Sequence, residues 1–380
     1  MERFALSRMK EWKENENRKP LIIRGARQVG KTWIMKTFGQ QYFEKTAYVN
    51  FDNNARMKQV FEGDLDIERL VLAISAETGV SIEAENTLII FDEIQEVPKA
   101  LTSLKYFHEN APQYAIVAAG SLLGVALHQG TSFPVGKVDF LDLYPLNFRE
   151  FLCAMGEKQF VSMLDSCDTQ MVTVFKTKYI ERLREYYFVG GMPEVVKDFS
   201  EKKDYNRVRA IQKNLINYYQ QDFSKHAEIK LVPRLNLVWN SIPMQLAKEN
   251  KKYIYGQVRE GSRAKDFELA IQWLLDCGLI HKVQRIQKPD LPLKAYIDFD
   301  AFKLFLVDIG LLIAMTDLDA KVIIEGNKIF TEFKGSLTEQ YILQQLISDV
   351  GVIPYYYSTQ NSKGEIDFLV QGKTSVIPIE

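Results

Sequence analysis

Apolar residues recur along this chain with two different periods, and the change from one to the other divides it. In the first 150 residues, short and almost wholly apolar runs alternate with amphipathic stretches. Residues 21–23 (LII), 46–52 (TAYVNFD), 87–91 (TLIIF), 114–121 (YAIVAAGS) and 137–143 (KVDFLDL) read as strands, several buried on both faces. Helical spacing fills the gaps: a helix over 1–19 with Phe4, Leu6, Met9 and Trp12 on or near one face, ended by Pro20, then residues 33–38, segments up to about Ala76, and 101–110. Strands alternating with helices predict an α/β architecture around a parallel sheet.

The period then changes. Residues 148–227 are mostly helical, interrupted at 188–196 by FVGGMPEVV, whose Gly190-Gly191 and Pro193 predict a turn between helices. A helix is expected over 231–249. Another should run from an N-cap at Ser262 to Gly278, with Phe267, Ile271 and Leu274 on one face. Two β-like pieces, 279–286 and 293–297, flank the turn KPDLP, and helix, helix, β-hairpin is the order of a winged helix. The remainder opens on the apolar run FKLFLVDIGLLIAM, continues through a helix near 331–350 and ends in three strand-like pieces at 352–357, 365–370 and 375–380. The expected organisation is therefore a first domain over 1–150, a helical linker or lid over 151–227, a winged-helix-like domain over 228–300 and a C-terminal domain over 301–380. The last strand stops on an apolar run, SVIPIE, which suggests that the natural sequence continues.

Composition narrows the class. With 380 residues, 46% of them hydrophobic and 26% charged, the chain has room for two or three ordinary globular cores. A net charge of −1 gives no global bias towards nucleic acid. The three cysteines have no metal-ligand spacing and cannot pair evenly, which suits a reducing compartment, and the four histidines show no zinc motif. The polar N-terminal stretch lacks the apolar core of a signal peptide, and no apolar run approaches the ~20 residues of a membrane span. A cytoplasmic location is expected, with no membrane partner.

Candidate chemistry centres on GARQVGKT at 25–32, which fits G-x-x-x-x-G-K-[ST] between a strand and a helix. In that reading Gly25, Ala26, Arg27, Gln28, Val29, Gly30, Lys31 and Thr32 cradle the phosphates of ATP. The glycines let backbone N–H groups converge, and the helix beginning near Gly30 adds its positive end. Lys31 reaches the β- and γ-phosphates, and the Thr32 hydroxyl takes a Mg²⁺ position. The second half of such a site is TLIIFDEIQ at 87–95, an apolar strand carrying Asp92 to hold Mg²⁺ and Glu93 to polarise the attacking water. The bland alternative is a pair of solvated acids at a strand end. Ser121, ending the next strand, reads equally as a γ-phosphate sensor or as a helix N-cap.

The order of these pieces, followed by YPLNFREF at 144–151, resembles AAA+-type ATPases. With GGMPEVV at 190–196, FKLFLVDIGLL at 302–312 and GEIDFLV…IPIE at 364–380, the chain is similar to a widespread prokaryotic family of ATP-binding proteins that join this ATPase to a C-terminal DUF-type domain. The family usually has Gly-Arg where this chain has Gly136-Lys137, a common position for an arginine finger. Lysine supplies the charge without the planar fork, so a ring of subunits does not follow and oligomer formation stays open. Glu339, Asp367 and Glu380 resemble the acids of PD-(D/E)XK nuclease-like domains, which hold Mg²⁺ beside a lysine two positions after the last acid. No such lysine follows Glu380, so nuclease activity is not expected of this chain, and the acids could equally face solvent on a sheet edge.

The fold class implied is a P-loop NTPase (AAA+-like) parallel sheet, followed by helical and winged-helix segments and a C-terminal α/β nuclease-like domain. The expected function is a Mg²⁺-dependent ATPase whose nucleotide state controls the attached domains. The alternative is a nucleotide-gated DNA-binding or scaffold protein with negligible hydrolysis. DNA contacts would come from Lys248, Lys251, Lys252, Arg259, Arg263, Lys265, Lys282, Arg285, Lys288 and Lys294, with the helix over 263–276 as groove reader; packing as a protein-interaction module is the other ordinary use of a winged helix.

Overall fold

The computed structural model describes residues 1–120, 133–248, 252–325, 331–359 and 364–380. They fall into two compact units, one spanning Arg3–Tyr144 and the other Pro145–Glu380 together with Met1 and Glu2.

The first unit opens with α1 (Ala5–Glu14), shorter than expected over 1–19 because the backbone turns extended at Asn15. The following segment is held back by the Trp12 indole, which donates to the Lys19 carbonyl at 2.7 Å. Then come β1 (Leu21–Arg24), α2 (Lys31–Tyr42), β2 (Lys45–Asn50), α3 (Ala55–Glu62), α4 (Ile67–Thr78), β3 (Thr87–Asp92), α5 (Pro98–Asn110), β4 (Ala115–Ala119) and β5 (Asp139–Asp142). The strand order is β2-β3-β4-β1-β5 and every pairing is parallel. β3 and β4 are buried at every position, as strands with both faces covered must be. Phe51, Phe61 and Phe91 pack edge-on with ring centroids 5.3 to 5.7 Å apart and anchor the β2–β3 side of this core. Because all five strands run the same way, the loop after β1 and the acid that ends β3 emerge at one edge, although β4 lies between them.

The second unit begins with helices α6 (Phe148–Ala154), α7 (Lys158–Asp165), α8 (Thr169–Val174), α9 (Lys176–Val189), α10 (Pro193–Lys202), α11 (Tyr205–His226), α12 (Val232–Ala247), α13 (Tyr255–Val258) and α14 (Ala264–Asp276). The expected turn is found: α9 ends at Gly190, and Pro193 opens α10. Phe267, Ile271 and Leu274 are buried together on α14 as their spacing requires. After these come β6 (Ile280–Ile286), β7 (Ile297–Leu306), α15 (Ile309–Met315), α16 (Ala320–Ile324), α17 (Thr331–Gln345), β8 (Tyr355–Ser358), β9 (Glu365–Gln371) and β10 (Val376–Ile379).

The two compact units divide at Tyr144/Pro145, a little before the expected end of the first domain at 150, so α6 groups with the second unit. The hairpin's second strand starts at Ile297, and Leu293–Tyr296 is a 3-10 turn. The division at 300/301 therefore cuts through β7. Its last six residues, Ala301 to Leu306, are all buried, so the strand is a continuous core element. β6 and β7 also share one mixed sheet, ordered β10-β9-β8-β6-β7, with the C-terminal strands: β6 pairs parallel with β8, and the other pairings are antiparallel. The helix–helix–hairpin sequence is present, but its hairpin is part of a larger sheet rather than a free-standing wing.

Three motifs of the second unit converge on one buried carboxylate. Asp308 Oδ2 accepts from Gly191 N at 2.6 Å and from Gln344 Nε2 at 3.2 Å, and Oδ1 accepts from Leu311 N at 3.1 Å. The approach needs glycine: a Cβ at Gly190 would lie 2.2 Å from Asp308 Oδ1, and one at Gly310 would lie 2.6 Å from the Val189 carbonyl. Gln344 also donates to the Tyr186 hydroxyl at 3.0 Å, which donates to the Leu146 carbonyl at 2.6 Å. Burial pushes the Asp308 carboxyl up to about 6, against N–H donors that lower it.

Removing this hub leaves several buried donors unsatisfied. Asp308→Ala should cost about 3 kcal/mol in equilibrium urea unfolding. A folded-state pKa raised above the unfolded value of about 3.9 means that the folded chain binds this proton more tightly. The contribution of Asp308 is then largest at low pH and declines as pH rises through about 6. The stability gap between wild type and Asp308→Ala should accordingly be wider at pH 5 than at pH 7.5.

Candidate nucleotide site

The loop joining β1 to α2 is shaped by two glycines. Gly25 has φ +147°, and a Cβ there would lie 2.1 Å from the Leu143 carbonyl. Gly30 takes the left-handed conformation, φ 96°, as it caps the start of α2. Between them Ala26 and Val29 are buried and pin the loop to the core, Gln28 adopts a positive φ of 64° with its side chain exposed, and Arg27 is half-buried. Arg3, itself buried, donates to the Val29 carbonyl at 3.0 Å and to the Tyr144 carbonyl at 2.6 Å. This support from the N-terminus carries no motif that would have revealed it.

Lys31 is 6% exposed, and its ammonium donates to the carbonyls of Gly25 and Ala26 at 2.9 and 2.8 Å. Beside it, the Thr32 hydroxyl donates to Asp92 Oδ2 at 2.7 Å. The two motifs identified sixty residues apart therefore meet. Asp92 is 3% exposed and its carboxylate is fully engaged: Oδ2 also accepts from the Tyr48 hydroxyl at 2.9 Å, and Oδ1 accepts from Glu93 N at 3.1 Å. Burial, reinforced by Asp92, holds the Tyr48 phenol well above its ordinary range, so it is a neutral donor. Glu93 sits in the left-handed region, φ 51°, which turns it away from the strand direction, and Gln95 Nε2 donates to its Oε2 at 2.7 Å. Ser121 lies outside the described residues.

A hydroxyl and a carboxylate in contact, both hard oxygen donors, suit Mg²⁺, which takes one or two protein ligands and keeps phosphates and water for the rest. Among the described residues, no group of three or more His, Cys, Asp or Glu could hold a metal ion. Lys137, expected from the resemblance to stand where a finger residue would be, pairs with Glu109 at 3.0 Å.

The C-terminal acids are arranged differently. Glu339, Asp367 and Glu380 line one cavity of about 560 Å³, together with Glu365, Lys334 and Lys303. Lys303 comes from β7 and is 7% exposed; its ammonium lies 2.9 Å from Glu339 and 3.1 Å from Glu365. Burial works against that charge, but the two glutamates more than offset it and raise the lysine pKa. Burial also raises the Glu339 pKa, against Lys303. An internal cation thus lies between Glu339 and Glu365, while Asp367 and Glu380 line the same cavity. Of the cations assigned to DNA contact, Lys251 is outside the described residues. Arg285 pairs with Asp298, Lys288 pairs with Asp290, and Lys282 covers the Phe302 ring.

The sheet order, the glycine-shaped loop and the Thr32–Asp92 contact are the arrangement of a P-loop nucleotide-binding fold. Residues 17–152 match the AAA domain family. Residues 180–322 match a domain of unknown function, DUF8612, and residues 334–380 match another, DUF4143. A search of curated proteins found no match. Among solved structures, the Walker-type ATPase PABY2304 of Pyrococcus abyssi is similar over 83% of this chain and 95% of its own, at 15% identity and a TM-score of 0.50. The Orc1 protein of Aeropyrum pernix, in complex with DNA, is aligned over 82% of this chain and 91% of its own, at 13% identity and a TM-score of 0.31. The Thermotoga maritima RuvB Holliday junction branch migration motor is aligned over 73% and 87%, at 11% identity and a TM-score of 0.32. The first likeness shows the fold; the other two are too distant to bear on function. Among the described residues, no helix is long and apolar enough to cross a membrane.

Breaking a buried ion pair on one side strands its partners. Lys303→Met should therefore destabilise the chain by about 3 kcal/mol in urea unfolding. Adding Glu339→Gln to that variant should recover part of the loss.

Proposed function

We propose that this chain is a Mg²⁺-dependent ATPase whose nucleotide state controls the unit carrying the second sheet. The observation that carries this reading is the 2.7 Å contact between the Thr32 hydroxyl and the Asp92 carboxylate, beside a loop whose lysine is buried against it. Lys31 and the amides of residues 25–32 bind and neutralise the phosphates of ATP. Thr32 and Asp92 would hold Mg²⁺, which when bound would withdraw charge from the phosphates. Glu93, placed next to Asp92 by the turn after β3, orients the attacking water and takes its proton. Ser121 is the candidate γ-phosphate sensor, with a helix N-cap as its other role. The three free cysteines suit a reducing, cytoplasmic setting.

A second reading is nucleotide-gated binding of DNA or a protein scaffold, with negligible hydrolysis. Two contacts favour it: Lys137 is paired with Glu109 instead of standing free as a finger, and the Gln95 amide holds the Glu93 carboxylate.

Lys31→Ala should abolish binding of a fluorescent ATP analogue. Glu93→Gln should bind it normally and lose about 100-fold or more in steady-state phosphate release. Unchanged turnover in Glu93→Gln would remove Glu93 as the base. Phosphate release measured with and without duplex DNA separates the two readings: measurable Mg²⁺-dependent turnover supports the first. Negligible turnover with nucleotide-dependent DNA retention supports the second.

A further inference from the structure

Asp92 is the one carboxylate at the proposed metal position, and a single bound carboxylate can rotate or swing unless something fixes its plane. The structure supplies donors from three separate elements. Thr32 on α2 and Tyr48 on β2 both donate to Oδ2, at 2.7 and 2.9 Å, and the Glu93 amide donates to Oδ1 at 3.1 Å. These donors differ in kind. In the proposed site the Thr32 oxygen is itself a ligand, so its hydroxyl cannot serve only to hold Asp92. The Glu93 amide moves with the backbone that carries the base. Tyr48 is free of both duties: its neighbours Ala47 and Val49 point into the core on the other face of β2, and β2 is locked in register with β3 from Lys45↔Thr87 to Asn50↔Asp92. Its ring is held from above by Lys36 of α2, whose ammonium is 3.8 Å from the ring centroid. The phenol is therefore fixed by the strand below and the helix above, with its hydroxyl directed at the carboxylate.

We propose that Tyr48 is a positioning residue that sets the orientation of Asp92 for the metal ion, and so sets how tightly the nucleotide site holds a divalent cation. This rests on the reading of Thr32 and Asp92 as metal ligands. Groups that orient a ligand from outside commonly change metal affinity by about tenfold or more when removed. They need not alter nucleotide contacts made without the metal.

The test compares wild type with Tyr48→Phe, which removes the hydroxyl and keeps the ring beneath Lys36. Two equilibrium measurements are made without turnover: binding of a fluorescent ADP analogue in excess EDTA, and binding of Mn²⁺ to the ADP complex, followed by loss of the free Mn²⁺ electron paramagnetic resonance signal. The expected result is nucleotide affinity in EDTA within twofold of wild type and Mn²⁺ affinity weakened about tenfold. In turnover, the half-saturating Mg²⁺ concentration should rise by a similar factor, with kcat at saturating Mg²⁺ changed much less. Equal Mn²⁺ affinity in the two proteins would overturn the inference and leave the ATPase reading intact. Parallel loss of metal-free nucleotide binding would reduce Tyr48 to a packing residue and overturn it too. A wild type that binds ADP but takes up no Mn²⁺ would remove the metal reading itself, and this inference with it.

Discussion

The first unit depends on a buried carboxylate that has to be satisfied. Asp92 is 3% exposed at the end of an all-buried strand, where an unpartnered charge would be prohibitively costly. Its partners come from α2, from β2 and from its own following residue, so the electrostatic requirement of one side chain gathers three elements at the carboxyl edge of the sheet. That β4 separates β1 from β3 makes the gathering more demanding. The loop after β1 must reach across the end of a neighbouring strand, which it does by turning through two glycines into α2. The same geometry brings phosphate-binding and metal-binding groups together.

The second unit solves a similar problem twice and in different ways. Asp308 is held by neutral donors: backbone amides brought close by glycines, and a glutamine amide that passes the chain on to a tyrosine hydroxyl. Glu339 and Glu365 are held by a charged partner, Lys303, which sits in the buried, otherwise apolar half of β7, Ala301 to Leu306. The first joins the last 80 residues to the helices before them, through Gly191, Tyr186 and Leu146; the second joins β7, α17 and β9 within those residues. The acids expected to form a metal site do gather in one cavity, but the cavity supplies its own cation.

How much of this was legible in the sequence follows from the kind of signal each feature leaves. Gly25 to Thr32 and Asp92-Glu93 were readable because strand, turn and helix impose residue types at fixed local spacing. The GGMP turn was readable for the same reason. Tyr48 was not, because its role depends on which strand lies beside β3 and on a hydroxyl in an otherwise ordinary β-sequence. Lys303 left a faint trace, a lone cation inside FKLFL, but its two partners lie 36 and 62 positions further on. The run FKLFLVDIGLLIAM is largely apolar in composition, yet the structure divides it between the end of β7 and α15. Asp308 breaks it, ending the strand and capping the helix that follows.

Leu143 and Gly25 meet with no side chain to cushion them: an added Cβ would come within 2.1 Å of that carbonyl, which follows directly after the outermost strand of the sheet. The turn between β1 and α2 is thus built directly against the residue that leaves the sheet's edge strand β5, whereas the opposite edge strand, β2, lies three strands away.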